Sequence, residues 1–139
     1  MLIALAVASG LILGVYATTF FSVSNTATIQ TGANLEGTGP VTQGTVCAAS
    51  TGTYVSSIPV AWGSVPAGTT QSQFICLENT GTGNYPISVT SNLPIHDGSI
   101  STPQSGQVLV PSSFLLVEFD WQIPPGAQLG SLSFSIDFQ

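Results

Sequence analysis

The last residues of this chain alternate without a break. Leu132, Phe134, Ile136 and Phe138 are interleaved with Ser131, Ser133, Ser135 and Asp137. Period-two spacing predicts a strand with one buried face and one wet face. A second long stretch, "QVLVPSSFLLVEFDW", places Leu115, Val117, Phe119 and Trp121 on one side and Phe114, Leu116, Glu118 and Asp120 on the other. Shorter stretches follow the same rule. "TQSQFICLEN" sets Phe74, Cys76 and Glu78 on one face, "YPISVTS" alternates Tyr85, Ile87 and Val89, and "TYVSSIPV" and "TVCAA" are further candidate strands. Turn sequences separate them: "VPAGTT", "NTGTGN", "HDGS", "TPQSGQ" and "IPPGAQLG". From residue 45 to 139 the pattern predicts a β-sandwich of immunoglobulin-like size, with no helix and no internal repeat.

The first residues break that rule. "MLIALAVASGLILGVYATTFF" is apolar on all sides of a helix, and at about 1.5 Å per residue it would extend roughly 32 Å, the thickness of a bilayer core. Ala6, Gly10 and Gly14 recur every fourth position, which puts them on one helix face where a second backbone can approach. The helix can extend through 22–31 and stop at Gly32. The alternation of Ser22, Ser24, Thr26 and Thr28 with Val23, Ala27 and Ile29 suits a strand equally. The expected plan is therefore α+β: an apolar N-terminal helix over 1–31, a Gly-rich connector over 32–44 ("GANLEGTGPVTQG"), and an all-β sandwich over 45–139.

Charge narrows the partners. The chain has no Lys or Arg, six acids and one His, a formal charge of −6. Only 4% of residues are charged against a usual ~25%, so solubility has to come from hydroxyls, amides and backbone. Nothing here can neutralise phosphates, which excludes nucleic acid and anionic membrane surfaces as electrostatic partners. Cys47 and Cys76 do not make a zinc site by themselves; in an exported chain they read as one disulfide, and as buried thiols otherwise.

No constellation for catalysis, cofactor or metal is legible. His96 lies beside Asp97 in a turn sequence, without a nucleophile that it could activate. Glu118 and Asp120 share a strand face but lack a third ligand or a calcium-type loop. "GTGNYP" and "GTGP" have neither the Lys nor the following helix of a phosphate loop. Trp62, Trp121 and Glu118 leave a membrane-anchored enzyme or carbohydrate-binding module as a minor alternative.

The apolar run lacks the basic flank of a secretory signal or a single-span anchor. A basic leader removed ahead of Met1 would resolve this, with the apolar run kept in the mature chain. That run, the passage "SNTATIQTGANLEGTG", the turn "VPAGTTQSQF" and "LENTGTGNYPISVTS" together resemble archaeal type IV pilins. The resemblance implies a subunit cut by a prepilin peptidase, held in the membrane by residues 1–21, and drawn by assembly machinery into an extracellular helical homopolymer for adhesion, with a core of packed helices. Leu5 stands where bacterial type IV pilins carry Glu, which sets the chain apart from that branch. "FFSVSNTATIQTGANLEG" and "VPAGTTQSQFICLENTG" also resemble TasA/camelysin-type biofilm fibre proteins. That second resemblance implies a fibre subunit whose N-terminal strand, here within 22–31, inserts into the next subunit's sheet.

Overall fold

The computed structural model describes residues 25–127 and 130–139. Its strands are β1 (Asn25–Gln30), β2 (Leu35–Val41), β3 (Ser57–Gly63), β4 (Thr70–Asn79), β5 (Tyr85–Pro86), β6 (Val89–Ser91), β7 (Ser99–Ser101), β8 (Val108–Leu109), β9 (Phe114–Gln122) and β10 (Leu132–Phe138). A single 3₁₀ turn, Ile95–Asp97, is the one helical element among the described residues. Two four-stranded sheets form, ordered β3-β1-β10-β6 and β2-β4-β9-β7, with a small β5-β8 ribbon.

The core lies between the two sheets. Ala27, Ile29, Ile58, Val60, Phe134, Ile136 and Phe138 from the first meet Leu35, Ile75, Leu77, Val117, Phe119 and Trp121 from the second. Alternation decides which residues enter it. On β10, Phe134, Ile136 and Phe138 are buried while Ser133 is exposed. On β9, Val117, Phe119 and Trp121 are buried, and Glu118 and Asp120 lie on the other face. Edge-to-face ring pairs (Phe119 with Phe138 at 5.8 Å, Trp121 with Phe134 at 5.3 Å) lock the two sheets together.

β1 holds the first sheet together. It pairs in parallel with β10, from Asn25 opposite Leu132 to Gln30 opposite Asp137. On its other side it pairs antiparallel with β3, from Thr26 opposite Ala61 to Gln30 opposite Ser57. The first strand therefore sits inside its sheet, beside the last.

This overturns the α+β assignment with a long N-terminal helix. Among the described residues the chain is built of strands, and none of their helical turns is long and apolar enough to cross a membrane. The part of the 1–31 helix that falls on described residues is β1. Ala27 and Ile29 enter the core while Thr26 and Thr28 face outward, and β-branched Thr and Ile suit that surface better than a helix. The rest of that assignment, residues 1–24, lies outside the described residues. The connector assigned to 32–44 is also corrected. Leu35–Val41 is β2, paired antiparallel with β4, and a Cβ on Gly37 would crowd Ile58 Cδ1, Leu77 Cδ2 and Cys76 O. Among the described residues the sandwich thus already includes Asn25–Gln30 and Leu35–Val41, ahead of residue 45.

Residues 42–56 make no strand of their own and form a strap held to the outer face of the second sheet by Cys47 and Tyr54, with Val55 bridged to Gly37 of β2. Cys47 is bonded to Cys76 at the centre of β4, with 5.5 Å between their Cα atoms. Tyr54 packs edge-on against Phe114 of β9 at 5.5 Å, and its hydroxyl donates to Ala48 O. The strap so covers Cys76 on the face pointing away from the main core. Reduction of this disulfide, which spans 29 residues, should lower unfolding stability by about 3–4 kcal/mol. Urea unfolding with and without reductant measures it, and alkylation followed by mass determination reports the thiol state.

Candidate functional site

The residues that could carry chemistry do not converge. Glu118 and Asp120 project from the outer face of β9, where Ser72 donates to Asp120 and Gln104 accepts from the Glu118 backbone N–H. His96 lies in the 3₁₀ turn at one end of the sandwich, its Nε2 3.1 Å from Asp97 Oδ2. Its ring is open to solvent, whereas Asp97 is buried. Among the described residues no group of three or more His, Cys, Asp or Glu is placed to hold a metal ion. Trp62 and Trp121, the candidates for a sugar platform, are buried against each other at 5.6 Å and belong to the core. Ala6, Gly10 and Gly14 lie outside the described residues.

The 3₁₀ turn has a structural logic of its own. Trp121 Nε1 donates to Asp97 O at 2.9 Å, which anchors the turn to the end of β9. Gly98 follows at φ +117°, and a Cβ there would lie 2.1 Å from Gln122 O. Only glycine permits both the dihedral and the close backbone approach. Ile95, 93% exposed, stands on the rim of a wide-open groove of about 430 Å³ floored by Gly98, Gln122 and Ile123. The groove's polar lining (Thr69, Thr70, Ser99, Gln122) carries no ionisable side chain.

At the opposite end, Asn79 organises the turn that the sequence shows as "NTGTGN". It is 1% exposed, and its Nδ2 donates to Gly83 O and Leu109 O, both at 2.8 Å. Its Oδ1 accepts from Gly81 N at 3.0 Å. Both donors and one of the two acceptor positions of this buried amide are used within the fold, so Asn79 is a structural clamp. Asn followed by Gly-rich sequence signalled the turn; that the Asn reaches across to β8 was not visible without the fold.

What distinguishes the molecule is the state of its sheet edges. The outer strands are β3 and β6 in one sheet and β2 and β7 in the other. β6 and β7 have three residues each, β3 carries Pro59, and β2 carries Pro40. Short strands and prolines are the devices that stop sheets from adding further strands. The outward row Thr26, Thr28, Ser133 and Ser135 is small and uncharged, with Thr26 Oγ1 3.0 Å from Ser133 Oγ. Comparison with family models, curated proteins and solved structures finds no match to this chain.

Two measurements test these local readings. Gly98→Ala should destabilise by about 1–3 kcal/mol or more through backbone strain, read as a lower urea midpoint. Burial raises the Tyr54 hydroxyl above its ordinary value of 10.0; a Thr51 hydrogen bond opposes this and the charge of Glu78 adds to it. The folded chain therefore holds this proton more tightly than the unfolded chain. Its contribution is complete below pH 10 and is lost as pH rises through the folded value. Melting curves from pH 8 to 11 should fall less steeply for Tyr54→Phe than for the unaltered chain.

Proposed function

We propose that this chain is a structural subunit of an extracellular homopolymer. The sandwich is a polar head, and the apolar run 1–21 associates with copies of itself after residence in a membrane. A processing peptidase and assembly machinery of the archaeal type IV pilin kind are the partners this plan requires. The observation that carries the reading is where the run is rooted. Three residues, 22–24, separate it in sequence from β1, the strand held on both sides within its sheet. A pull on the run is a pull on the middle of the head.

Energetics and surface chemistry support the same plan. Ten Leu, Ile, Val and Phe side chains lie within residues 1–21. Each gains roughly 1.5–3 kcal/mol on leaving water, so water is not a stable final neighbour for them. The net gain on leaving lipid is far smaller, and close packing has to supply it. The head has no Lys or Arg, and its outer strands are short or carry a proline, which disfavours strand addition. Heads so built can crowd along a polymer without fusing their sheets.

Strand exchange, the plan of TasA-type fibres, is the second reading, and the hinge argues against it. β1 and β2 are joined by residues 31–34 alone, a reach of at most about 14 Å. A subunit receiving a neighbour's β1 would send out its own from the same end. Both neighbours would then crowd one end of the sandwich, and a reciprocal pair would close as a dimer.

The double variant Thr26→Cys, Ser133→Cys separates the two plans, since the native oxygens are 3.0 Å apart. Filaments sheared from cells should carry residues 1–21 and run as single chains on non-reducing gels after oxidation. A ladder of covalent multimers would establish strand exchange instead. Recovery of only dispersed chains, with no filaments by electron microscopy, would remove the polymer reading.

A further inference from the structure

The geometry points to a mechanical role for the first sheet: it is a shear clamp for tension arriving through the N-terminal segment. The inference rests on the proposed polymer, in which the head is held by residues 1–24. Three features carry it. First, β1 is parallel to β10, so Asn25 and Phe138 lie at opposite ends of neighbouring strands. Tension that draws the N-terminus one way and the C-terminus the other slides β1 along β10. The ladder bonds between them then resist together. An antiparallel pair pulled from one end opens one bond at a time.

Second, β3 grips the other side of β1 over the register Thr26–Ala61 to Gln30–Ser57. Withdrawing β1 therefore breaks two ladders at once and drags Ala27 and Ile29, 2% and 1% exposed, out of the core. At an edge position β1 would have one ladder to break. Third, the chain beyond β1 meets a stop. β2 leads into the strap, and Cys47 is bonded to Cys76 at the centre of β4. If β1 yields, the loop closed by these cysteines, 29 positions apart, stays out of the extended length. At about 3.5 Å per residue that withholds roughly 100 Å.

Single-molecule force spectroscopy on the full chain in detergent tests this with two pulling directions. One handle stays at the N-terminus. The other is at the C-terminus or, through a thioether, at Ala61→Cys, an exposed β3 position next to the end of β1 where the pull enters. The clamp requires an unfolding force several-fold higher for the N-to-C pull, because the Ala61 pull opens β1 from β3 pair by pair. It also requires that reductant lengthen the N-to-C extension by about 100 Å. Equal forces in the two directions would overturn the clamp, and an unchanged extension would overturn the stop. Neither result depends on filaments forming. A chain that clamps but yields no filaments on cells therefore fails the polymer reading alone.

Discussion

The pairing of β1 on both flanks is the interaction on which the rest of this molecule depends. Without it β3 and β10 would face each other across an empty strand position, each with an unpaired row of backbone donors and acceptors. Ala27 and Ile29 are its side-chain counterpart, carrying the first sheet's apolar face continuously from β3 to β10. The same strand joins the fold to the apolar run that precedes it. One element thus closes the sheet, fills the core and carries the connection to residues 1–24.

A chain without Lys or Arg has to solve its polar problems with neutral groups. Among the described residues, Trp62 Nε1 is buried without a hydrogen-bond partner, but the buried amides and hydroxyls have local answers. Asn25 Nδ2 donates to Gly63 O, fastening the start of β1 to the end of β3. Thr31 Oγ1 donates to Ser56 O, and Thr102 Oγ1 to Gln104 Oε1. Asn79 binds two carbonyls and one amide. Amide and hydroxyl bonds of this kind are short-ranged and hardly screened by salt, unlike surface ion pairs. Edges follow the same economy. Where other proteins place a Lys on an outer strand, this one uses Pro40, Pro59 and strands of three residues.

How much of this could be read in advance depended on whether a segment's neighbours were close in sequence or remote. β9 and β10 alternate strictly because each has one face on the core, and their inward residues were legible one by one. β2 was hidden by composition. Its glycines answer to contacts made far away, with Gly37 against Ile58 and Gly39 against Ile75, so "LEGTGPV" looks like a connector until the second layer is in place. "TVCAA" failed in the opposite sense. Val46 is 88% exposed and only Cys47 ties the stretch to Cys76, and a periodicity argument has no term for a loop stapled to a sheet's outer face. At residues 25–30 both periods fitted; pairing with β10, a partner more than a hundred residues away, decided for the strand.

The site was less legible than the fold because it is not a cluster of reactive groups. His96, Glu118 and the tryptophans drew attention as residue types, yet each is accounted for by a turn, a strand face or the core. The property on which the proposed reading rests is an arrangement: which strand is central, which direction it runs relative to the last, and what lies before it in sequence. No residue type marks such an arrangement. It follows from the parallel register of Asn25 with Leu132 and the antiparallel register of Thr26 with Ala61, and those pairings exist only once the sheet is formed. On the proposed reading, tension on the N-terminal segment would be met by the two ladders that flank β1.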